Sequence, residues 1–209
     1  MIGSVEFGSC YVCSPGGIGP ISRRSRLLRD LLKEGNDDFL GRYAARLTRQ
    51  VAESVSLADL FASVPILVPV PASHPARCRP DSVPAKLAAA MVSRGLGSRL
   101  WSGLMRMHAV RRSTTARPGA RPTTMDHYAS FAVDRTLSAT HEVVLVDDVV
   151  TRGRTLLAAA ARIQEAYPGI QVRAFAMVRT MGLVPEIDCL LDPCRGEIRW
   201  RNGDAHRWP

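Results

Sequence analysis

The run Val143–Thr155, VVLVDDVVTRGRT, constrains the fold of this chain more than any other stretch. Val143, Val144, Leu145 and Val146 are apolar in succession, so both faces of the segment need cover, the pattern of a strand buried inside a sheet. Asp147 and Asp148 follow, then Val149, Val150 and the turn Thr151-Arg152-Gly153-Arg154-Thr155, which opens an alanine-rich helix over 155–166. Pro168-Gly169 stops that helix, and Ile170–Val178 reads as the next strand. Strand, helix, strand in this order makes a right-handed crossover between parallel strands. Ligands of open parallel sheets lie beyond the carboxyl ends of the strands, which is where Asp147 and Asp148 fall. Their carboxylates suit the vicinal hydroxyls of a ribose. Backbone N–H groups and hydroxyls at a helix N-terminus suit a phosphate dianion. Gly153 lets the backbone approach closely or take a positive φ. The run predicts a ribose 5-phosphate site.

The rest of the chain reads as α/β around that unit. Val5 and Phe7 alternate with polar neighbours in a short strand closed by Cys13-Ser14-Pro15-Gly16-Gly17. Ser22 opens a helix with Leu27, Leu28, Leu31 and Leu32 at helical spacing, stopped at Gly35. Phe39, Leu40, Tyr43, Ala44, Leu47 and Val51 form one stripe of a second helix, and Ser56 caps a short third through Phe61. Residues 1–63 are thus expected to form a strand and a small α-rich hood. Ile66-Leu67-Val68-Pro69-Val70-Pro71 is an apolar strand with its prolines at an end or edge. A helix over Pro84–Val92 and a strand over Phe131–Val133 follow. Residues 64–183 make the core, with a loop at about 106–127, and 184–209 an irregular tail packed on core or hood. Ser113–Thr124, STTARPGARPTT, has no hydrophobic period and the composition of a mobile loop.

Charge separates the chain more sharply than any linker. The formal net charge is +9, and every basic residue except Lys33 and Lys86 is an arginine. Arg77, Arg79, Lys86, Arg94, Arg99, Arg106, Arg111, Arg112, Arg117 and Arg121 face a single acid, Asp81, within 76–121, while acids and bases balance elsewhere. An excess gathered in one stretch points to an anionic ligand, phosphates or nucleic acid. With 46% hydrophobic residues the chain can bury a core. No run approaches the length of a membrane-spanning helix. The N-terminus lacks the basic head and apolar stretch of a secretory leader, so the cytoplasm is expected. An odd count of 5 cysteines argues for reduced thiols.

VVLVDDVVTRGRT resembles the phosphoribosyl-diphosphate (PRPP) signature of the type I phosphoribosyltransferases. Upstream, Leu67-Val68-Pro69-Val70-Pro71-Ala72-Ser73-His74 resembles the strand and loop that bind pyrophosphate in that family. The two together with the basic stretch look most like the competence-protein-F-like, amidophosphoribosyltransferase-like branch. The resemblance implies a type I fold, a parallel sheet flanked by helices with a small N-terminal α-rich hood. It implies an enzyme that moves ribose 5-phosphate from PRPP to a nitrogen nucleophile and releases pyrophosphate, with Mg²⁺ as cofactor and no protein ligand to the metal assigned. Residue by residue, it implies that Asp147 and Asp148 hold the ribose. Val149, Val150, Thr151, Arg152, Gly153, Arg154 and Thr155 would hold the 5-phosphate, and Ala72, Ser73, His74 and Arg77 the pyrophosphate. Arg111 and Arg112 stand where the family has its mobile catalytic loop, and are expected to meet the departing diphosphate. A homodimer is in keeping with the family. The alternative is a non-catalytic relative that senses PRPP or nucleotides or binds nucleic acid through the basic stretch. The acceptor has no readable signature in the first sixty residues.

Competence-type relatives carry an N-terminal zinc ribbon, and Cys10-x2-Cys13 invites that comparison. A ribbon needs a second pair and none lies nearby, so these thiols are expected to be structural and reduced.

Overall fold

A computed structural model describes residues 3–74, 76–77, 80–110, 121–137, 141–182, 184 and 186–208, with the backbone alone described at 76–77. The chain opens with β1 (Ser4–Cys13) and three helices, α1 (Pro20–Glu34), α2 (Asp37–Glu53) and α3 (Val55–Phe61). Then come β2 (Ile66–Pro69), β3 (Ala76–Arg77), α4 (Val83–Val92), β4 (Arg99–Leu100) and β5 (Leu104–Arg106). The second half holds α5 (Thr124–Ser130), β6 (Phe131–Val133), β7 (Glu142–Val150), α6 (Arg154–Ala166), β8 (Gln171–Thr180), β9 (Leu191–Arg201) and β10 (Asp204–Trp208).

The main sheet has 7 strands in the order β10-β9-β1-β8-β7-β2-β4. From β1 to β4 every pairing is parallel, and only β9 runs against the others, antiparallel to both β1 and β10. A 3-stranded antiparallel sheet, β3-β5-β6, stands apart from it. The apolar run of β7 is covered on both faces, as its composition requires. Val143 and Leu145 pack with Leu156, Ala159, Ala160 and Ile163 of α6. Val144 and Val146 pack with Leu32, Leu47, Leu57 and Leu87 from the four helices α1 to α4. Side chains alternate across a strand, so adjacent valines serve opposite layers. Each leucine buried there contributes roughly 1.5–3 kcal/mol. This is a mixed α/β fold with a mostly parallel central sheet between helical layers, as the type I resemblance implies.

Two expectations about the ends of the chain are corrected. Residues 4–61 do not stand apart as a hood. β1 lies in the sheet between β8 and β9, with Phe7 opposite Ala174 and Tyr11 opposite Val178, and α1 to α3 share one apolar layer with α4. The cause is apolar area: β1 is buried over nearly its whole length, which a strand on a small separate unit cannot achieve. The tail is not irregular either. Its residues form the β9–β10 hairpin, with Arg201 opposite Asp204 around Asn202-Gly203.

β2 ends as its prolines suggest. The Val70 N–H donates to the Val146 carbonyl at 2.9 Å, so the nitrogen of Pro69 faces the other side. On that side β4 pairs only with Ile66 and Leu67, and no ladder bond is lost.

Candidate active site

Asp147 and Asp148 do not sit past the end of their strand, as the sequence pattern suggests, but within it. β7 stays paired with β8 as far as Val150 opposite Arg179, whereas β2 stops at Pro69 opposite Val146. Beyond Val146 the β2-facing edge of β7 is therefore uncovered by its neighbour, and the two acids occupy that ledge. Backbone contacts hold both carboxylates: Asp147 Oδ1 accepts from the Asp148 N–H at 2.9 Å and Asp148 Oδ1 from the Val149 N–H at 2.8 Å. Burial, and then the adjacent Asp148 charge, push the Asp147 carboxyl well above the usual carboxylate range; Lys33 pulls the other way. Both side chains are half-buried, and their oxygens can accept hydrogen bonds from a ligand's hydroxyls.

The turn after β7 takes the conformation its glycine permits. Gly153 is the N-cap of α6 at φ 83°, and no side chain caps that helix end. The first helical bond runs from the Leu157 N–H to the Gly153 carbonyl, so the amides of the first turn point out of the helix without internal partners. Thr151 and Arg152 are exposed and Thr155 is half-buried. Arg154 is placed differently from the expectation that it grips the 5-phosphate. Its guanidinium binds Asp204 Oδ2 through Nε at 2.9 Å and through Nη2, and its Nη1 donates to the Pro122 carbonyl at 2.7 Å. Asp204 also accepts from Thr124 Oγ1 at 2.8 Å, while that hydroxyl accepts from the Ala205 N–H. Arg154 thus ties α6 to the hairpin and to the start of α5.

Asp204→Ala should therefore destabilise the fold by roughly 2 kcal/mol, because it strands a mostly buried guanidinium and a buried hydroxyl. A urea midpoint within error of wild type would refute this.

Ala72, Ser73 and His74 leave β2 beside the acids, since Val70 is bonded to Val146, the residue before Asp147. Ala72 and His74 are exposed, and the Ser73 carbonyl accepts the Val110 N–H at 2.9 Å. The backbone of Arg77 pairs with Met105 in the small sheet. Arg111 and Arg112 lie outside the described residues, as does Arg117; the flanks of their segment are β5 and α5. The structure brings the acids, the Gly153 turn and the 72–74 loop to one end of adjacent parallel strands. Among the described residues no group of three or more His, Cys, Asp or Glu is gathered to hold a metal. Cys10 and Cys13 are both buried in the apolar layer beneath α1 to α3, and burial pushes the Cys10 thiol up to about 12.

Three residues of this region carry no motif. Arg106 and His127 are buried, at 3% and 6% exposure, and Asp204 anchors the α6 N-terminus. A signal for Asp204 existed, since Asn-Gly between apolar alternations marks a hairpin. Nothing local marks the other two. Burial, then the Arg106 charge, lower His127 to about 4, and its Nδ1 has no hydrogen-bond partner among the described residues. Above pH ~6.5 the ring is neutral folded or unfolded. As pH falls from there towards 4, the unfolded chain takes a proton that the native state refuses, so stability is lost over that window. Melting temperature should fall with pH there, and less steeply in His127→Leu; identical slopes would exclude this role.

Residues 89–190, just under half of the chain, match the family model of the phosphoribosyl transferase domain. The matched span takes in β7 with both acids, the Gly153 turn, α6 and β8. No curated protein matches the chain. No helix among the described residues is long and apolar enough to cross a membrane.

Proposed function

We propose that this phosphoribosyltransferase-type domain binds PRPP at the C-terminal ends of β2 and β7 and transfers its ribose 5-phosphate to a nitrogen nucleophile, releasing pyrophosphate. The observation that carries the reading is the ledge of β7, where Asp147 and Asp148 stand immediately before a helix N-terminus that no side chain caps. The acids accept from the ribose 2- and 3-hydroxyls. The first-turn amides of α6, with the hydroxyls of Thr151 and Thr155 and the exposed Arg152, hold the 5-phosphate. Arg154, already engaged by Asp204, keeps the turn in place. The 72–74 loop takes the diphosphate, and Arg111 and Arg112 meet its growing charge as the bond to the ribose breaks. As that bond lengthens the ribose gains oxocarbenium character, which two neighbouring carboxylates favour. Hard oxygen donors of this kind fit Mg²⁺; no third protein ligand is gathered with them among the described residues, and the metal would be carried chiefly on the oxygens of PRPP, where it would offset diphosphate charge. The likeness to the competence-protein-F-like branch rests on the sequence motifs.

The test is calorimetric titration with PRPP in Mg²⁺, followed by release of pyrophosphate with a panel of nucleobases and amines. Binding with turnover supports the reading. Binding without turnover by any acceptor makes the chain a sensor, and absence of binding refutes the site.

A further inference from the structure

We propose that Arg106 is a positioning residue that locks the Ala72–Ser73 peptide in the orientation the diphosphate subsite requires. Arg106 lies on β5, in the small sheet, and is almost fully buried. Its Nε donates to the Ala72 carbonyl at 2.6 Å and its Nη1 to Ser130 Oγ at the end of α5. Its guanidinium carbon sits 4.2 Å from the centroid of the Phe131 ring. A guanidinium is costly to desolvate and is kept in the interior only where its planar fork meets fixed acceptors. Burial lowers Arg106 to about 10, and the Asp147 carboxylate opposes that fall. One side chain thus joins the loop after β2 to the end of α5.

The mechanical consequence follows from peptide planarity. In a trans peptide the carbonyl and the next N–H point in opposite directions, so a carbonyl held by Arg106 turns the Ser73 N–H away from it. At this peptide the loop after β2 is tied to β5 of the small sheet. No apolar side chain at 106 could restrain it, because only a donor reaches a carbonyl. A lysine keeps the charge beside Asp147 but cannot span the Ala72 carbonyl and Ser130 Oγ together.

The inference rests on the reading of 72–74 as the diphosphate subsite, and the test separates the two. Wild type, Arg106→Lys and Ser130→Ala are titrated with PRPP, inorganic pyrophosphate and ribose 5-phosphate. Ribose 5-phosphate engages only the acids and the Gly153 turn. Arg106→Lys should weaken PRPP and pyrophosphate about 10- to 100-fold, the worth of one charge-assisted hydrogen bond. Ser130→Ala should weaken both about threefold, and ribose 5-phosphate should stay within about twofold in either variant. Equal losses for all three ligands would mean general loosening and overturn the inference, as would unchanged PRPP affinity in Arg106→Lys. If Arg106→Lys does not fold, Ser130→Ala decides by the same selective pattern. Failure of the wild type to bind either ribose phosphate overturns the site itself and this inference with it.

Discussion

Replacing Asp147 and Asp148 together by Asn is expected to lower PRPP affinity by roughly 10²–10⁴ while the fold persists. Each carboxylate that accepts from a ribose hydroxyl makes a charge-assisted hydrogen bond worth roughly 1.5–3 kcal/mol, and two of them give that range. The fold persists because Asn keeps the oxygen that each acid uses locally, towards the Asp148 and Val149 amides. Stability should move the other way from affinity. The Asp147 carboxyl is raised in the folded state, chiefly by burial and then by Asp148. A raised acid means that the native state holds its proton where the unfolded chain has released it. Stability then falls as pH rises from the ordinary aspartate range through the raised value. Asp147→Asn removes this loss, so the single variant should melt higher than wild type at pH 7 and like wild type near pH 4. Calorimetry with PRPP reads the first effect and thermal melts at the two pH values read the second. Unchanged PRPP affinity in the double variant would end the ribose assignment, and a lower melting temperature of Asp147→Asn at pH 7 would show that the acid supports the fold.

Gly153→Ala is expected to cost roughly 2–5 kcal/mol, the sum of a left-handed backbone for an L-residue and an overpacked contact. The observed φ of 83° is one that glycine alone adopts freely. The space is closed as well: a Cβ there would lie 2.6 Å from Ile198 Cδ1 and 2.7 Å from its Cγ1 and Cγ2. Ile198 is fully buried on β9 and branched at Cβ, so it cannot swing aside without disturbing the layer it shares with α6. Relief would push the turn away from the hairpin and spoil the convergence of the α6 amides. PRPP and ribose 5-phosphate should therefore weaken together, in contrast to the selective loss at Arg106. A urea midpoint for Gly153→Ala equal to wild type would show that the turn relaxes freely and that the contact with Ile198 does not shape the phosphate site.

Much of the site is legible because it is local. The acids, the glycine and the start of α6 are consecutive in the chain, and their chemistry follows from spacing along one strand and one helix. Arg106 and His127 are not legible, since a charged or titratable residue buried against partners 24 or more positions away, as Arg106 is with Ser130 and Ala72, looks like any surface residue in a linear reading. Arg154 is the converse case. Its place in the turn suggests a phosphate ligand, and a carboxylate 50 residues on, Asp204, claims it first.

The sequence by itself determined the parallel core around β7, because four successive apolar residues must be covered on two faces and the crossover to β8 leaves one arrangement. The β9–β10 turn is equally local, although the tail reads as irregular in the sequence: Asn202 and Gly203 adopt φ 51° and 79°, the pair of positive values that a two-residue hairpin asks of Asn-Gly. Only the tertiary structure decided where β1 goes. Its alternation is compatible with a small separate unit or with the main sheet, and what settles the matter is the free edge of β8, whose unpaired backbone N–H and C=O groups find partners in β1. Only the tertiary structure decided, too, that β7 outruns β2 and so leaves Asp147 and Asp148 on a ledge that β2 does not pair. Strand ends depend on the length of the neighbour, and a neighbour is a property of the fold rather than of the segment.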